Sequence, residues 1–199
     1  MYDLTLYNVS CYNEIMIILG IDPGYAIVGF GVIEKDNRGN CRVIDYGTIE
    51  TPKEESFPLR LKIIADGMKR LIEKYKPDEI AVEELFFNNN ITTGIAVAEA
   101  RGVILLTAVE ECGELFEYTP LQIKQAITGN GRAEKKQVQY MTVAILGLKS
   151  IPKPDDAADA LACALCHAQT SRVMAGTAMD TIRSGGDYYN KTMNYRKRK

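Results

Sequence analysis

Tryptophan is absent from the 199-residue chain, and histidine occurs once, at His167. A single histidine leaves a serine or cysteine nucleophile almost no choice of base, so catalysis by such a pair is not expected. The five cysteines are odd in number and unevenly spaced, which argues against a disulfide framework and fits a reducing compartment. No apolar run is long enough to span a bilayer, and residues 1–15 lack the features of a secretory signal. We therefore expect a cytoplasmic protein with no membrane partner.

An excess of basic residues is also lacking, because 24 Lys and Arg stand against 26 Asp and Glu, a net charge of −2. DNA-binding proteins often carry a basic surplus, so the overall charge does not indicate one. The basic residues are concentrated locally: residues 183–199 contain six of them and a single acid. We expect three segments, namely a disordered extension over 1–15, one globular domain over 16–170 and a basic flexible tail over 171–199.

Short apolar segments separated by turn residues open the domain. A run over 17–22 closes at Asp22-Pro23-Gly24, and strand-like runs follow over 28–33 and 41–50, which predicts an antiparallel meander. Strand and helix patterns then alternate, with strands at 79–83 and 115–118 and helices near 61–75, 95–109, 138–148 and 154–168. The sequence therefore predicts an α/β fold with a mixed sheet, three antiparallel strands and then parallel strands, flanked by helices.

Two helices carry more specific signals. Thr119 precedes Pro120, and Gln122 occupies the third helical position, which predicts a capping box at the start of a further helix. The next helix is indicated by apolar residues at steps of three and four, namely Val138, Met141, Ile145 and Leu148.

Four acidic residues occupy unusual positions. Asp22 ends the first apolar strand, Glu83 ends the buried strand at 79–83, and Asp156 and Asp159 share a face in the first turns of the last helix. Each has an ordinary explanation when it is taken alone: a turn former, a strand end that reaches solvent, or a complement to the helix dipole. The spacing alone does not show whether the four converge.

Taken together, these acids favour a metal site. A carboxylate beside an apolar strand is costly unless a partner compensates its charge. Oxygen ligands without cysteine or histidine suit Mg²⁺ or Mn²⁺. Two such ions, roughly 3.5–4 Å apart, can activate water and stabilise the leaving oxygen in phosphodiester hydrolysis.

Several segments, in the same order along the chain, resemble the RuvC-type Holliday junction resolvases. The likeness covers about residues 16–170 and rests on Ile18-Leu19-Gly20-Ile21-Asp22-Pro23-Gly24, 29–33, 81–86, 98–103, 123–125, 131–138 and 155–162. The resemblance implies a ribonuclease-H-like fold, a homodimer, and paired metal-dependent cuts in four-way DNA junctions during recombination and repair. It also implies two Mg²⁺ ions in each active site, with Mn²⁺ as a substitute, and a branch-migration motor complex as a partner.

The resemblance assigns roles to seven residues. The positions that match the family's catalytic and metal-binding acids are Asp22, Glu83, Asp156 and Asp159. Phe86 matches an aromatic residue that contacts bases near the crossover, and Lys124 and Lys135 match basic residues implicated in DNA contact. Core packing for Phe86 and solvated helix charge for the lysines are the ordinary alternatives. Asp155 does not match, and the polar loop over 87–90 departs from the family pattern.

Other interpretations stay open at this point. Cys163-Ala164-Leu165-Cys166-His167 matches the haem-attachment pattern, but it falls within an Ala/Leu-rich helix, where we expect buried small side chains. An actin-like ATPase or phosphotransferase also begins with a strand–Asp hairpin, although such proteins usually have two such domains. A ribonuclease-H-like nuclease acting on RNA or other branched DNA, or a DNA-binding module with a dead site, are further alternatives.

Overall fold

The computed structural model describes residues 15–85 and 91–176. Of the predicted segments, the extension over 1–15 lies outside the described residues except for Ile15, and the tail over 171–199 does so beyond residue 176. Phe86 and the loop over 87–90 also lie outside them. Ten elements follow one another along the chain: β1 Met16–Asp22, β2 Ile27–Lys35, β3 Cys41–Glu50, α1 Phe57–Tyr75, β4 Glu79–Glu83, α2 Ile91–Glu111, β5 Leu115–Tyr118, α3 Pro120–Thr128, α4 Lys135–Leu146 and α5 Asp155–Gly176.

The five strands form one sheet in the order β3-β2-β1-β4-β5. Neighbouring strands are antiparallel from β1 to β3, whereas β4 runs parallel to β1 and β5 runs parallel to β4. The predicted mixed sheet is therefore confirmed. Parallel neighbours end at the same edge of a sheet, and their crossover connections here contain α1 and α2. The register pairs Ile21 with Val82, so the next residues, Asp22 and Glu83, end side by side.

Helices cover both faces of the sheet. Because side chains alternate along a strand, Ile18 packs in a core with α3, α4 and α5, while Leu19 packs in a second core with α1 and α2. Both side chains have no exposed surface. This three-layer arrangement explains why the interior residues of β1 and β4 are apolar on both faces of the sheet.

Helix α5 lies against the centre of the sheet at very short range. A Cβ atom added to Gly20 would lie 2.2 Å from the carbonyl oxygen of Ala160, and one added to Gly29 would lie 2.0 Å from that of Asp156. The helix itself presents alanines that are almost fully buried, including Ala157. Glycine in the strands and alanine in the helix let the two backbones touch, which brings the start of α5 over the ends of β1 and β2.

Local predictions were confirmed at one helix and partly wrong at two others. The Thr119 hydroxyl accepts from the Gln122 backbone amide at 3.2 Å, and the Gln122 side chain accepts from the Thr119 amide at 2.9 Å, so the capping box is present. Helix α4 exists, but Met141 is 39% exposed and Ile145 is 41% exposed. Helix α5 continues to residue 176 rather than ending near 168.

Among the described residues, none of the helices combines the length and apolarity that a bilayer crossing requires.

The contact between Gly20 and α5 predicts a large effect for a small substitution. Gly20→Ala should lower the free energy of unfolding by about 1–3 kcal/mol, because the added methyl group overlaps the helix backbone and cannot be relieved by a rotamer change. Gly47→Ala is the matched control, since its Cβ would meet only the Phe30 ring, at 3.0 Å. Urea denaturation curves provide the measurement. Equal midpoints for the two variants would contradict the proposed close contact.

Candidate active site

A cavity of about 390 Å³ opens at the carboxyl ends of β1 and β4. Asp22 and Glu83, the last residues of those strands, form its floor. Helices α3, α4 and α5 form the walls. The lining residues are Asp22, Glu83, Pro120, Ile123, Lys124, Lys135, Val138, Asp159 and Ala162.

Helix α5 adds further acids to the two at the strand ends. Asp159 lines the cavity one turn into the helix. Asp156 is not among the lining residues, but its charge is close enough to raise the pKa of Asp22. The structure therefore brings Asp22, Glu83 and Asp159 to one cavity and places Asp156 beside it. Asp155 hydrogen-bonds to Lys153 at 3.1 Å and faces outward, as its mismatch with the family pattern suggested.

Burial and mutual repulsion raise the pKa values of Asp22, Glu83 and Asp159. Burial raises the pKa of Asp22 well above its usual range, and the charges of Glu83, Asp159 and Asp156 raise it further. Burial, with a contribution from Asp159, also raises the pKa of Glu83 to about 7, although the nearby lysines oppose the shift. The pKa of Asp159 is raised by burial too, against the opposing hydrogen bond from Lys135.

Lys135, the first residue of α4, points into this acidic cluster. Its Nζ donates to Asp159 Oδ2 at 2.7 Å and lies 4.0 Å from Asp155 Oδ2. Burial alone would lower the pKa of Lys135, but the hydrogen bond and charge of Asp159 outweigh it and the net shift is upward. Lys124 reaches the same cavity from α3. Both predicted basic residues thus lie among the carboxylates rather than on an outer helix face.

The chemistry of this donor set fits a hard divalent cation. All four acids offer oxygen, and together they carry a formal excess of two negative charges over the two lysines. Across 15–85 and 91–176, no three Asp, Glu, His or Cys side chains are arranged tightly enough to form a ready ligand set. Repulsion separates unshielded carboxylates, and Lys135 holds Asp159. The metal-binding role of the four acids therefore stays a prediction.

The apolar part of the lining was not anticipated from the sequence. Pro120, Ile123 and Val138 come from α3 and α4 and face the carboxylates across the cavity. Their presence reduces the local dielectric, which is the physical source of the desolvation that raises the carboxyl pKa values. The capping box that starts α3 was visible in the sequence, but not that this helix start borders the acids. Phe86, predicted to contact DNA bases, lies outside the described residues.

Comparison with known proteins gives a consistent result. The family profile described as crossover junction endodeoxyribonuclease RuvC matches residues 18–167. The crossover junction endodeoxyribonuclease RuvC of Halothermothrix orenii is 56% identical over 159 residues, covering 79% of this chain and 95% of the relative. The protein of the same description from Rubrobacter xylanophilus is 52% identical over 171 residues, covering 86% of this chain and 95% of the relative.

Solved structures agree with the sequence comparisons. Thermus thermophilus RuvC in complex with a Holliday junction substrate superposes with a TM-score of 0.75 at 35% identity, covering 79% of this chain and 96% of that one. The yeast mitochondrial Holliday junction resolvase has a TM-score of 0.61 at 12% identity, covering 89% of this chain and 84% of that one. The second likeness is one of fold alone.

The raised carboxyl pKa values predict an unusual pH dependence for the metal-free protein. Between about pH 4.5 and 7 the folded state keeps the Glu83 proton that the unfolded state loses. The folded state therefore binds more protons, and stability falls as pH rises through this window, by up to about 3 kcal/mol. Glu83→Gln should remove the part of this fall that Glu83 contributes, leave the parts due to Asp22 and Asp159, and stabilise the protein at pH 8.

Urea unfolding in EDTA between pH 4.5 and 8 measures this effect. Glu84→Gln is the control, because the neighbouring carboxylate does not line the cavity. Stability that rises with pH in the unsubstituted protein, or a Glu83→Gln curve identical to that of Glu84→Gln, would contradict the assigned burial.

Proposed function

The chain belongs to the RuvC family of crossover junction endodeoxyribonucleases, and we propose that the cavity lined by Asp22, Glu83 and Asp159 is where it cuts DNA. A protein of this family is a structure-specific nuclease that resolves four-way junctions during recombination and repair. The observation that carries the site assignment is the meeting of three acids from three separate elements with two lysines in one cavity.

We propose that Asp22 and Glu83 from the sheet, with Asp156 and Asp159 from α5, hold two Mg²⁺ ions, and that Mn²⁺ can replace them. When bound, the ions would supply water activation and would offset the negative charge that grows on the phosphate in the transition state. The chain itself supplies a rigid base for the ligands, because β1 and β4 are buried on both faces. No covalent protein intermediate is required.

The lysines have two roles in this proposal. Lys135 compensates the charge of Asp159 before substrate arrives, since its ammonium group is 2.7 Å from the carboxylate. Bound phosphate and cations then compete for both partners of this ion pair. Lys124, across the cavity, adds a positive charge that attracts the DNA backbone. The apolar wall formed by Pro120, Ile123 and Val138 keeps these charges poorly screened.

We further propose that the protein acts as a homodimer through α2. Ile95 is 55% exposed and Leu106 is 60% exposed, and a Cβ atom added to Gly102 between them would meet nothing within 4 Å. These three residues follow one stripe of the helix, at steps of seven and four. An apolar stripe with a glycine at its centre suits close packing against a second copy, and two-fold symmetry suits paired cuts. A branch-migration motor complex is proposed as a partner from the family resemblance alone.

Cleavage of a synthetic four-way junction tests the proposed site. The unsubstituted protein should make paired, Mg²⁺-dependent cuts in the junction but not in linear duplex or an RNA–DNA hybrid. Asp22→Asn should slow cutting at least about a hundredfold, because even groups that only support metal ligands contribute up to that much. Junction binding without metal should be retained, as judged by gel shift.

Asp155→Asn is the control, since this acid precedes Asp156 at the start of α5 but does not line the cavity and hydrogen-bonds to Lys153. It should cut at nearly the normal rate. Preferential cutting of the hybrid would agree with the fold assignment but would contradict the proposed substrate. Normal cutting by Asp22→Asn would overturn the assignment of the cavity.

A charge placed in the α2 stripe tests the dimer. Leu106→Glu should weaken dimerisation by more than about tenfold, because a carboxylate buried between two helices would lack a partner. Sedimentation equilibrium measures the dissociation constant. Leu59→Glu provides the control, since Leu59 is 49% exposed and belongs to α1 rather than to the α2 stripe. A monomeric unsubstituted protein, or equal weakening by both substitutions, would rule out this interface.

A further inference from the structure

His167 is buried and hydrogen-bonded, but the proposed chemistry does not use it. Its side chain is 1% exposed, and it is the chain's only histidine. The ring Nε2 bonds to Glu79 Oε2, and Nδ1 lies 2.7 Å from the Tyr118 hydroxyl. Phe116 stacks on the ring with centroids 4.5 Å apart. Three elements therefore meet at this residue: β4 through Glu79, β5 through Phe116 and Tyr118, and α5 through His167 itself.

The hydrogen bonds define which tautomer the ring adopts. Burial holds the pKa of Tyr118 far above its usual range, so its hydroxyl keeps its proton and can donate to Nδ1. With the Tyr118 hydroxyl as the donor to Nδ1, a ring hydrogen stands on Nε2, where it donates to the Glu79 carboxylate. All polar atoms of the ring are paired, and both bonds are directional. Such a network fixes the rotation and the axial position of a helix more narrowly than apolar contacts do.

The network lies at the far end of two elements that carry acids of the active site. Glu79 and Glu83 are the first and last residues of β4, about 13 Å apart at the usual strand rise. His167 and Asp159 are eight residues apart on α5, about 12 Å at the usual helix rise. The helix and the strand therefore run antiparallel, and the two lengths are nearly equal. His167 and Glu79 join them at one end, and Asp159 and Glu83 reach the cavity at the other.

Most other contacts between α5 and the sheet are made by small side chains. The helix rests on glycines, and alanines and the fully buried Cys163, midway between Asp159 and His167, form much of its contact surface. Leu161, which packs over Gly31, and Leu165 are the larger buried side chains of the helix. Small side chains set how close the helix lies, but they offer few ridges that resist sliding along its axis. A directional bond between the two elements removes that freedom.

We propose that His167, through Glu79 and Tyr118, is a positioning residue that holds α5 in register with β4 and so sets the spacing of Asp159 and Glu83. The inference rests on the proposed function of the cavity, because it concerns the same carboxylates. It assigns no contact with substrate or metal to His167. Its role is to make the ligand oxygens on two different elements approach a common point.

Four variants separate positioning from stability. His167→Phe keeps a buried ring but loses both hydrogen bonds, and Tyr118→Phe removes only the bond to Nδ1. His167→Gln restores a donor toward Glu79. Leu165→Val, two residues away in the same helix, removes one buried methylene group from a side chain outside the network and provides a control for loss of packing alone.

Two readouts are needed, and the first does not depend on DNA cleavage. Calorimetric titration with Mn²⁺ should show that His167→Phe binds the ion at least several-fold more weakly than Leu165→Val does. The affinity of His167→Gln should lie between that of His167→Phe and that of the unsubstituted protein. In junction cleavage, kcat should fall about tenfold for His167→Phe while metal-free junction affinity is unchanged, since small misplacements of reacting groups are costly. Tyr118→Phe should lower Mn²⁺ affinity and kcat as well, but by less.

A spectrum of ¹⁵N-histidine-labelled protein adds a direct test, because a single residue gives all the signal. The Nε2–H tautomer is expected in the unsubstituted protein and a mixture of tautomers in Tyr118→Phe. Mn²⁺ affinity and kcat that fall equally in His167→Phe and Leu165→Val would overturn the positioning role. If His167→Phe does not fold, the Mn²⁺ affinity and kcat of Tyr118→Phe are compared with those of Leu165→Val in the same way. A protein that binds Mn²⁺ as expected but cuts no junction would overturn the proposed function and not this inference.

Discussion

The close contact between α5 and the sheet is the constraint on which the rest of the site depends. Gly20 and Gly29 lack side chains where the helix backbone passes, so the carbonyl groups of Ala160 and Asp156 can lie almost against the strands. This proximity brings Asp159 above Asp22 and Glu83, which a side chain in the strands would hold apart. The ends of β1 and β4 contribute two acids and the helix contributes the others, so the distance between sheet and helix also sets the distance between the acids.

Placing several carboxylates in one cavity destabilises the folded state, and this loss of stability is located at the candidate active site. Desolvation and like-charge repulsion both act against Asp22 and Glu83 in the metal-free protein. The surrounding core is closely packed and almost entirely apolar, with side chains such as Ile18 fully buried. A stable scaffold can tolerate a few strained carboxylates, and active sites commonly carry this kind of local instability. The ion pair that Lys135 forms with Asp159 relieves the repulsion only in part.

Much of the fold could be predicted because local patterns agreed with the final structure. The strands over 41–50, 79–83 and 115–118 were predicted to the residue, since turn residues bound each of them. The acids were found because strand ends and a helix start are unusual places for clustered carboxylates. Their convergence could not be predicted, since it depends on the parallel pairing of β1 with β4. The exposure of Met141 and the partners of His167 were missed because spacing within one helix does not reveal its neighbours.

The order of elements along the chain has a consequence for synthesis. Asp22 lies on the first strand, Glu83 on the fourth, and Asp159 on the last of the described elements. A chain leaving the ribosome grows from its amino end, and domains generally fold as units during that process. Because α5 completes the core on one face of the sheet and carries Asp156 and Asp159, the four acids come together only when nearly the whole domain has been made. An unfinished chain therefore holds only two of the four proposed ligands, and we expect it not to cut DNA.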